Sequence, residues 1–383
     1  MSGSRASAPS LEAVRRRVAE DPGVAAALGS DRVTAVRAGV ARAVRAEGLL
    51  LPAVELAGLV RELADDLAGL GPLEPLLRSP GVTDVLVNGP GEVWVERDGR
   101  LERTDVTFPD ADALRAAVHR VIGPLGLRLD RARPHVDARL ADGSRLHALL
   151  PPLAPDGPLV TIRRFGGVAP SWEALARAGA VPAEVRSILQ GAVAARRAIV
   201  CCGRTGTGKT TMLGLLLGEV DARERVVVVE DAAELRPRCP HAVRLETRPA
   251  NTEGAGEITL RQLVREAMRM RPDRIVVGEV RGVELVDVLQ AMASGHEGCM
   301  TTVHAKAADE ALVRLEGMAL LAGLPLEAAR AQLEVGLDLL CVLGRDRERG
   351  DRGVVEIAEV ADRRDGGPLR LRQLWRRDGW GRA

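Results

Sequence analysis

The sequence predicts an α/β fold built on a mainly parallel sheet with helices on both faces. Two observations carry that expectation. Apolar strands alternate with helical patterns between residues 198 and 305, and a glycine-rich G-x-x-x-x-G-K-T pattern stands between the first of these strands and its helix. The strand Ala198 to Cys202 opens the series. RVVVVED follows, then a helix over Thr259 to Met270 with Leu260, Leu263, Val264, Ala267 and Met268 on one face. DRIVVGE, a helix over Val283 to Ala293 and the strand CMTTVHA complete it. Uniformly apolar strands are those covered on both sides.

At 383 residues the chain is too long for one core and is expected to hold more than one domain. Residues 11 to 66 show helical spacing, as in Val33, Val36, Val40 and Val44, or Leu56, Leu59, Val60, Leu63 and Leu67. Glycine and proline between Gly69 and Gly81 break that pattern and set a boundary near residue 68. TDVLVNGPGEVWVERDGRLER then alternates apolar and polar residues about Gly89-Pro90-Gly91 and Asp98-Gly99, the chemistry of hairpins. A helix over Asp112 to Ile122 and the strand-like pieces VDARL, SRLHALL and LVTIRRF extend this α+β region to Gly167. The expected division is therefore a helical extension (1–68), an α+β domain (69–167) and the alternating α/β domain with a basic tail (168–383).

Composition excludes several classes. No apolar run approaches the roughly 20 residues of a membrane span, and the N-terminal residues lack the apolar core of a secretory signal, so a cytoplasmic protein is expected. The five cysteines contain no C-x-x-C pair, which argues against a disulfide framework or a zinc ribbon. Net charge is +1, so no global field draws nucleic acid or membrane to the chain. Arginine is the default cation, and Lys209 and Lys306 are the only lysines.

Lys209 lies in the most informative stretch, Gly203, Arg204, Thr205, Gly206, Thr207, Gly208, Lys209, Thr210, which is followed by Thr211 and a helical run. Such glycines let backbone N–H groups wrap phosphate oxygens at a helix N-terminus. Lys209 is placed to reach the β- and γ-phosphates of ATP and Thr210 to offer its hydroxyl to Mg²⁺, while Thr211 supports the α-phosphate or the helix start. Phosphoryl transfer also needs carboxylates. Glu279, closing DRIVVGE, and Glu230 and Asp231, closing RVVVVED with Glu234 behind, stand at the C-terminal ends of apolar strands, where open α/β sheets bind ligands. His304 or His296 could sense a γ-phosphate or be ordinary core histidines, and Cys299 reads as a small buried residue. No metal other than Mg²⁺ is expected there.

The order GRTGTGKTT, VVEDAAELR, LVREAMRMRPDRIVVGEVRGVE and LQAMASGHEGCMTTVHA, with LGPLEPLLRSPGVTDVLVNGPGEVWVERDGRL upstream, resembles the type II/type IV secretion ATPase superfamily. It is most similar to the CpaF/TadA-type ATPases of tight-adherence (Flp) pilus systems. The resemblance covers roughly residues 69 to 343. It implies a RecA-like P-loop ATPase domain behind the α+β domain, Lys209 and Thr210 as Walker A ligands and Glu279 as Walker B acid. It also implies Glu230 and Asp231 in an acidic box and His304 in a histidine box. Glu230 is then the preferred base for water, with Glu279, Asp231 and Thr210 on the Mg²⁺ side, although the two glutamates could exchange roles. Arg139, Arg145, Arg163 and Arg164 match stretches whose arginines approach the γ-phosphate, Arg139 and Arg163 being preferred. A homohexamer acting on an inner-membrane platform protein is implied as well.

The competing readings are a nucleic-acid translocase, which the scarce aromatic residues disfavour, and a nucleotide-gated scaffold with little turnover. The segment from Arg164 to Trp172 is a candidate hinge. The tail from Gly366, with Arg370, Arg372, Arg376, Arg377, Arg382, Trp375 and Trp380, is expected to be solvated or to lie on an anionic membrane surface.

Overall fold

The computed structural model describes residues 8–27, 30–49, 52–97, 99–165, 171–250, 254–346, 350–361 and 368–378. The chain divides into two compact units, Met1–Gly167 and Val168–Ala383.

The first unit opens with α1 (Ala8–Ala19), α2 (Pro22–Ala26), α3 (Ser30–Ala46) and α4 (Ala53–Ala68). Their helical spacing turns Val14, Val18, Val36, Val40, Val44 and Leu63 into one buried cluster. The Gly69–Gly81 stretch is not simply a breaker: a 3₁₀ turn (Gly71–Leu73) runs into α5 (Glu74–Arg78). Pro72 and Pro75 each fall in the first turn of their element, where the missing N–H costs nothing.

Six antiparallel strands follow: β1 (Val82–Asn88), β2 (Val93–Arg97), β3 (Arg100–Arg103), β4 (His135–Arg139), β5 (Arg145–Leu149) and β6 (Leu159–Arg163). Their order is β3-β2-β1-β6-β5-β4. Alternation sends Val85, Val87, Val93, Val95, Leu146, Ala148, Val160 and Ile162 to one face, where Leu114, Ala117, Val118 and Ile122 of α6 (Ala111–Ile122) cover them.

The second unit holds α7 (Trp172–Arg177), α8 (Ala183–Ala194), β7 (Ile199–Gly203), α9 (Lys209–Leu217), β8 (Val226–Glu230) and β9 (Ala242–Glu246). These are followed by α10 (Leu260–Met268), β10 (Arg274–Val277), α11 (Leu285–Ala293), β11 (Met300–Val303), α12 (Ala308–Leu321) and α13 (Leu326–Gly336). The last three elements are β12 (Leu339–Arg345), β13 (Arg352–Ala361) and β14 (Arg370–Arg376). The eight-stranded sheet runs β14-β13-β12-β7-β11-β10-β8-β9, parallel from β12 to β9 and antiparallel beyond β12. One face is packed by α10 to α13 and the other by α8 and α9, so β7, β8, β10 and β11 are buried at every position. Helix α10 begins at a capping box, Thr259 and Gln262 each satisfying the other's backbone N–H.

The tail departs from expectation. Residues 370–376 form the edge strand of the sheet, with Leu371, Leu374 and Trp375 packed inward and Arg372 paired with Glu359. Arg377 donates to the carbonyls of Val354 (2.8 Å) and Ala180 (2.9 Å). Basic residues on an edge strand discourage edge-to-edge pairing with other chains, a structural reason for the charge. Trp380 and Arg382 lie outside the described residues, as do 166–170 of the candidate hinge, and Trp172 already belongs to α7.

Arg274, the first residue of β10, is 1% exposed and donates to both carboxylate oxygens of Glu224 (2.6 and 3.1 Å) and to the Val193 carbonyl (2.8 Å). Arg274→Met is expected to cost about 3 kcal/mol, because it leaves Glu224 in the interior with only the longer contact to Arg196 (3.6 Å). Urea unfolding read at two wavelengths checks this; a loss under about 1 kcal/mol would show that Glu224 reaches water.

Candidate functional site

The site is built at the C-terminal ends of β7, β8, β10 and β11. Strand β7 stops at Gly203, where a Cβ would stand 2.3 Å from Thr207 Oγ1 and 2.9 Å from the Leu343 carbonyl. Gly206 (φ +74°) and Gly208 (φ +99°) take the left-handed conformation that brings the loop into the start of α9 at Lys209. Arg204, Thr205 and Gly206 are exposed, Thr207 is buried with its hydroxyl donating to the Arg204 carbonyl (2.8 Å), and Thr210 and Thr211 are half-buried in the first turn of α9. That turn leaves N–H groups and the positive end of a helix dipole beside the loop.

Lys209 is buried, with Nζ donating to the carbonyls of Gly203 (3.0 Å) and Arg204 (3.2 Å) and 3.3 Å from His304 Nδ1. The other ring nitrogen of His304 lies 2.7 Å from Glu279 Oε1, a contact without hydrogen-bond alignment. Partial burial and the neighbouring Lys209 ammonium hold the His304 imidazole below its ordinary pKa, against the pull of Glu279.

Glu230 ends β8 and is 3% exposed. Its Oε1 accepts from the N–H groups of Glu234 (2.9 Å) and Leu235 (3.0 Å), while Oε2 is buried with no hydrogen-bond partner among the described residues. Burial raises its pKa despite those two bonds. Gly278 makes room for it: a Cβ there would stand 2.9 Å from Glu230 Cγ. Asp231, the next residue, is exposed. Arg281, which carries no expectation from the sequence, brings the two acidic sets together. It donates from Nε (2.8 Å) and Nη2 to Glu279 Oε2 and lies 4.0 Å from Asp231 Oδ2. Its position two residues beyond a strand-end acid is the only signal the sequence offers.

The structure thus brings together Lys209, His304, Glu279 and Asp231 through consecutive contacts, with Glu230 beside Gly278 on the neighbouring strand. His296 and Cys299 stand apart. His296 Nδ1 is 3.2 Å from the Ala291 carbonyl and 3.3 Å from Ser294 Oγ, and the buried Cys299 thiol is pushed up to about 11. No cluster of three or more His, Cys, Asp or Glu able to hold a metal occurs among the described residues. Oxygen donors from Thr210, Glu279 and Asp231 suit Mg²⁺, which typically takes one or two carboxylates and completes its shell with phosphates and water.

The remaining candidates lie in the first unit. Asp84, Arg163, Arg145 and Arg139 are register partners across β1, β6, β5 and β4, forming a row of three cations closed by one acid. Arg163 Nε is 3.3 Å from Asp84, and the Arg139 guanidinium lies over the Phe165 ring (5.5 Å). Arg164 points elsewhere: its Nη1 donates to the carbonyls of Ser79 (2.7 Å) and Val82 (2.8 Å), bracing β1 against the end of α5.

The profile of the family described as type II/IV secretion system protein matches residues 66–342. The chain belongs to this family. Rv3659c of Mycobacterium tuberculosis H37Rv, named only provisionally as a conjugal transfer protein, is 44% identical over 86% of this chain and 94% of its own length. The type IV secretion system protein PtlH of Bordetella pertussis is 35% identical over 73% and 90%. The type IV secretion system protein VirB11 of Brucella suis is 33% identical over 66% and 76%. In fold, the chain is similar to the Legionella pneumophila ATPase DotB, with a TM-score of 0.54 at 21% identity, covering 76% of this chain and 79% of DotB. As a secretion-family member with an intact phosphate loop, the chain is an ATPase. No helix among the described residues is long and apolar enough to cross a membrane.

Proposed function

We propose that the chain works as a homohexameric motor of the CpaF/TadA type, cleaving Mg²⁺-ATP to drive pilus assembly or export through an inner-membrane platform protein. What supports this reading most is the run Lys209, His304, Glu279, Arg281, Asp231 across four strand ends, beside a buried carboxylate oxygen of Glu230 that has no partner there. In this reading Gly203 to Thr211 wrap the phosphates through backbone N–H groups, and Lys209 neutralises charge on the transferred group. Thr210, Glu279 and Asp231 would hold Mg²⁺, which would supply neutralisation of phosphate charge when bound. Glu230 accepts the proton of the attacking water at Oε2, and burial raises its pKa, which favours proton uptake there. His304 links Glu279 to Lys209 and so reads the terminal phosphate.

Arg139 and Arg163 are assigned to the γ-phosphate. Arg139, Arg145 and Arg163 stand in register on adjacent strands, so three cations come together in a placement that suits a polyanion. The motor would operate in the cytoplasm, peripherally at the inner face of the membrane. The name of the mycobacterial relative favours conjugal transfer as a second reading of the machine served.

Mass photometry tests the assembly. With Mg²⁺ and a non-hydrolysable ATP analogue, a species of six times the 40.7 kDa chain mass is expected. A monomer under every nucleotide condition would contradict the ring.

A further inference from the structure

We propose that Arg281 is a positioning residue that competes with the divalent cation for Glu279 and thereby sets how much Mg²⁺ the site requires. The inference rests on the ATPase reading above and adds a control on its metal side.

Glu279 has one hydrogen-bonded oxygen and one that faces His304 without accepting a bond. Its Oε2 takes two N–H groups of Arg281, and its Oε1 faces His304 Nε2 at 2.7 Å. A planar guanidinium delivering two N–H groups to one carboxylate makes a directional, charge-assisted contact. A cation that is to take Oε2 therefore has to displace Arg281. Arg281 is the better candidate to yield, because its side chain is 59% exposed. His304, by contrast, is tied through its other nitrogen to Lys209. Movement of the guanidinium off Glu279 releases it to water, so its displacement leaves no buried charge behind.

The backbone around Arg281 is built to hold the residue in place while its side chain moves. Glu284 Oε1 accepts from the N–H of Arg281 (2.6 Å) and of Gly282 (2.8 Å), pinning the turn to the start of α11. The anchor sits on the backbone and leaves the guanidinium to move without the turn. Glu279 (17% exposed) and Asp231 (45% exposed) differ in solvation, so the resting preference for Glu279 follows from the stronger field at the drier carboxylate.

The test titrates Mg²⁺ against the purified full chain at fixed fluorescent ATP analogue and reads binding, so it does not depend on turnover. Arg281→Ala is expected to lower the Mg²⁺ midpoint roughly three- to tenfold, the size of one partly screened charge contact, while lowering kcat at saturating Mg²⁺. Arg281→Lys, which keeps the charge and loses the bidentate geometry, is expected to fall between. An unchanged or raised midpoint in Arg281→Ala, with analogue binding intact in the unmodified protein, would overturn the competition. Failure of the unmodified protein to bind the analogue at any Mg²⁺ concentration would overturn the ATPase reading and this proposal with it.

Discussion

Lys209→Ala is expected to reduce ATP turnover by roughly 10³-fold, the effect of removing one preorganised charge from the reacting group. The site offers no substitute. Lys306 is the only other lysine, and it lies beyond β11 with its backbone N–H held by Glu310. Arginine cannot take over, because the pocket at Gly203 and Arg204 presents two carbonyls to a compact ammonium, and a planar fork would collide with the loop. Lys209→Arg is therefore expected to stay inactive as well. Phosphate release under saturating Mg²⁺-ATP reads the effect, and an unchanged far-ultraviolet spectrum establishes that the loss is not unfolding. Turnover within about tenfold of the parent would remove Lys209 from the transition state.

Glu230→Gln separates binding from cleavage. The amide still accepts the N–H groups of Glu234 and Leu235 through Oε1, but the atom in place of Oε2 no longer takes a proton from water. Turnover is expected to fall by roughly 10²–10⁴ with nucleotide affinity retained. The same substitution carries a stability signature whose sign is set by burial. Because the carboxyl pKa is raised in the fold, its contribution to stability is fully present below the unfolded-state value and is lost as pH rises through the folded one. At pH 7 the buried charge therefore costs stability, and Glu230→Gln is expected to raise Tm by roughly 2–4 °C. That gain should vanish when the melt is repeated below the usual carboxylate range. A Tm lowered at pH 7 would mean that the charged form of Glu230 holds the fold together.

The parallel strands could be read from the sequence because burial on both faces leaves uninterrupted apolar runs, as in Val226 to Val229. The antiparallel end of the sheet could not. Strand β14 lies at the edge of the sheet, so RLRQLWR shows arginine at most exposed positions and betrays its packing only through Leu371 on one face and Leu374 and Trp375 on the other. The glycine-rich loop was legible for a different reason, since its glycines answer to φ angles and close approaches that only this residue type tolerates. Glu230 and Glu279 look alike as strand-end acids. Only the fold separates them, one buried beside Gly278 and the other held between Arg281 and His304. Arg281 itself was hidden by composition, because in a chain where arginine is the general cation one more arginine carries no signal.

Arg164 teaches the converse. It follows Arg163 directly, yet alternation along an extended strand sends neighbours to opposite faces, and its guanidinium ends on the carbonyls of Ser79 and Val82. Arg163 lies in the row with Arg145 and Arg139. A motif match assigns both arginines to one task, and strand geometry divides them.

The most direct measurement is equilibrium binding of a fluorescent ATP analogue to the full chain with Mg²⁺ present, followed in the same sample by phosphate release from ATP. The account predicts saturable binding in the parent and in Glu230→Gln, weaker binding in Lys209→Ala, and release at the full rate in the parent alone. A folded parent chain that binds no Mg²⁺-nucleotide, or a Lys209→Ala chain that binds and cleaves like the parent, would contradict it.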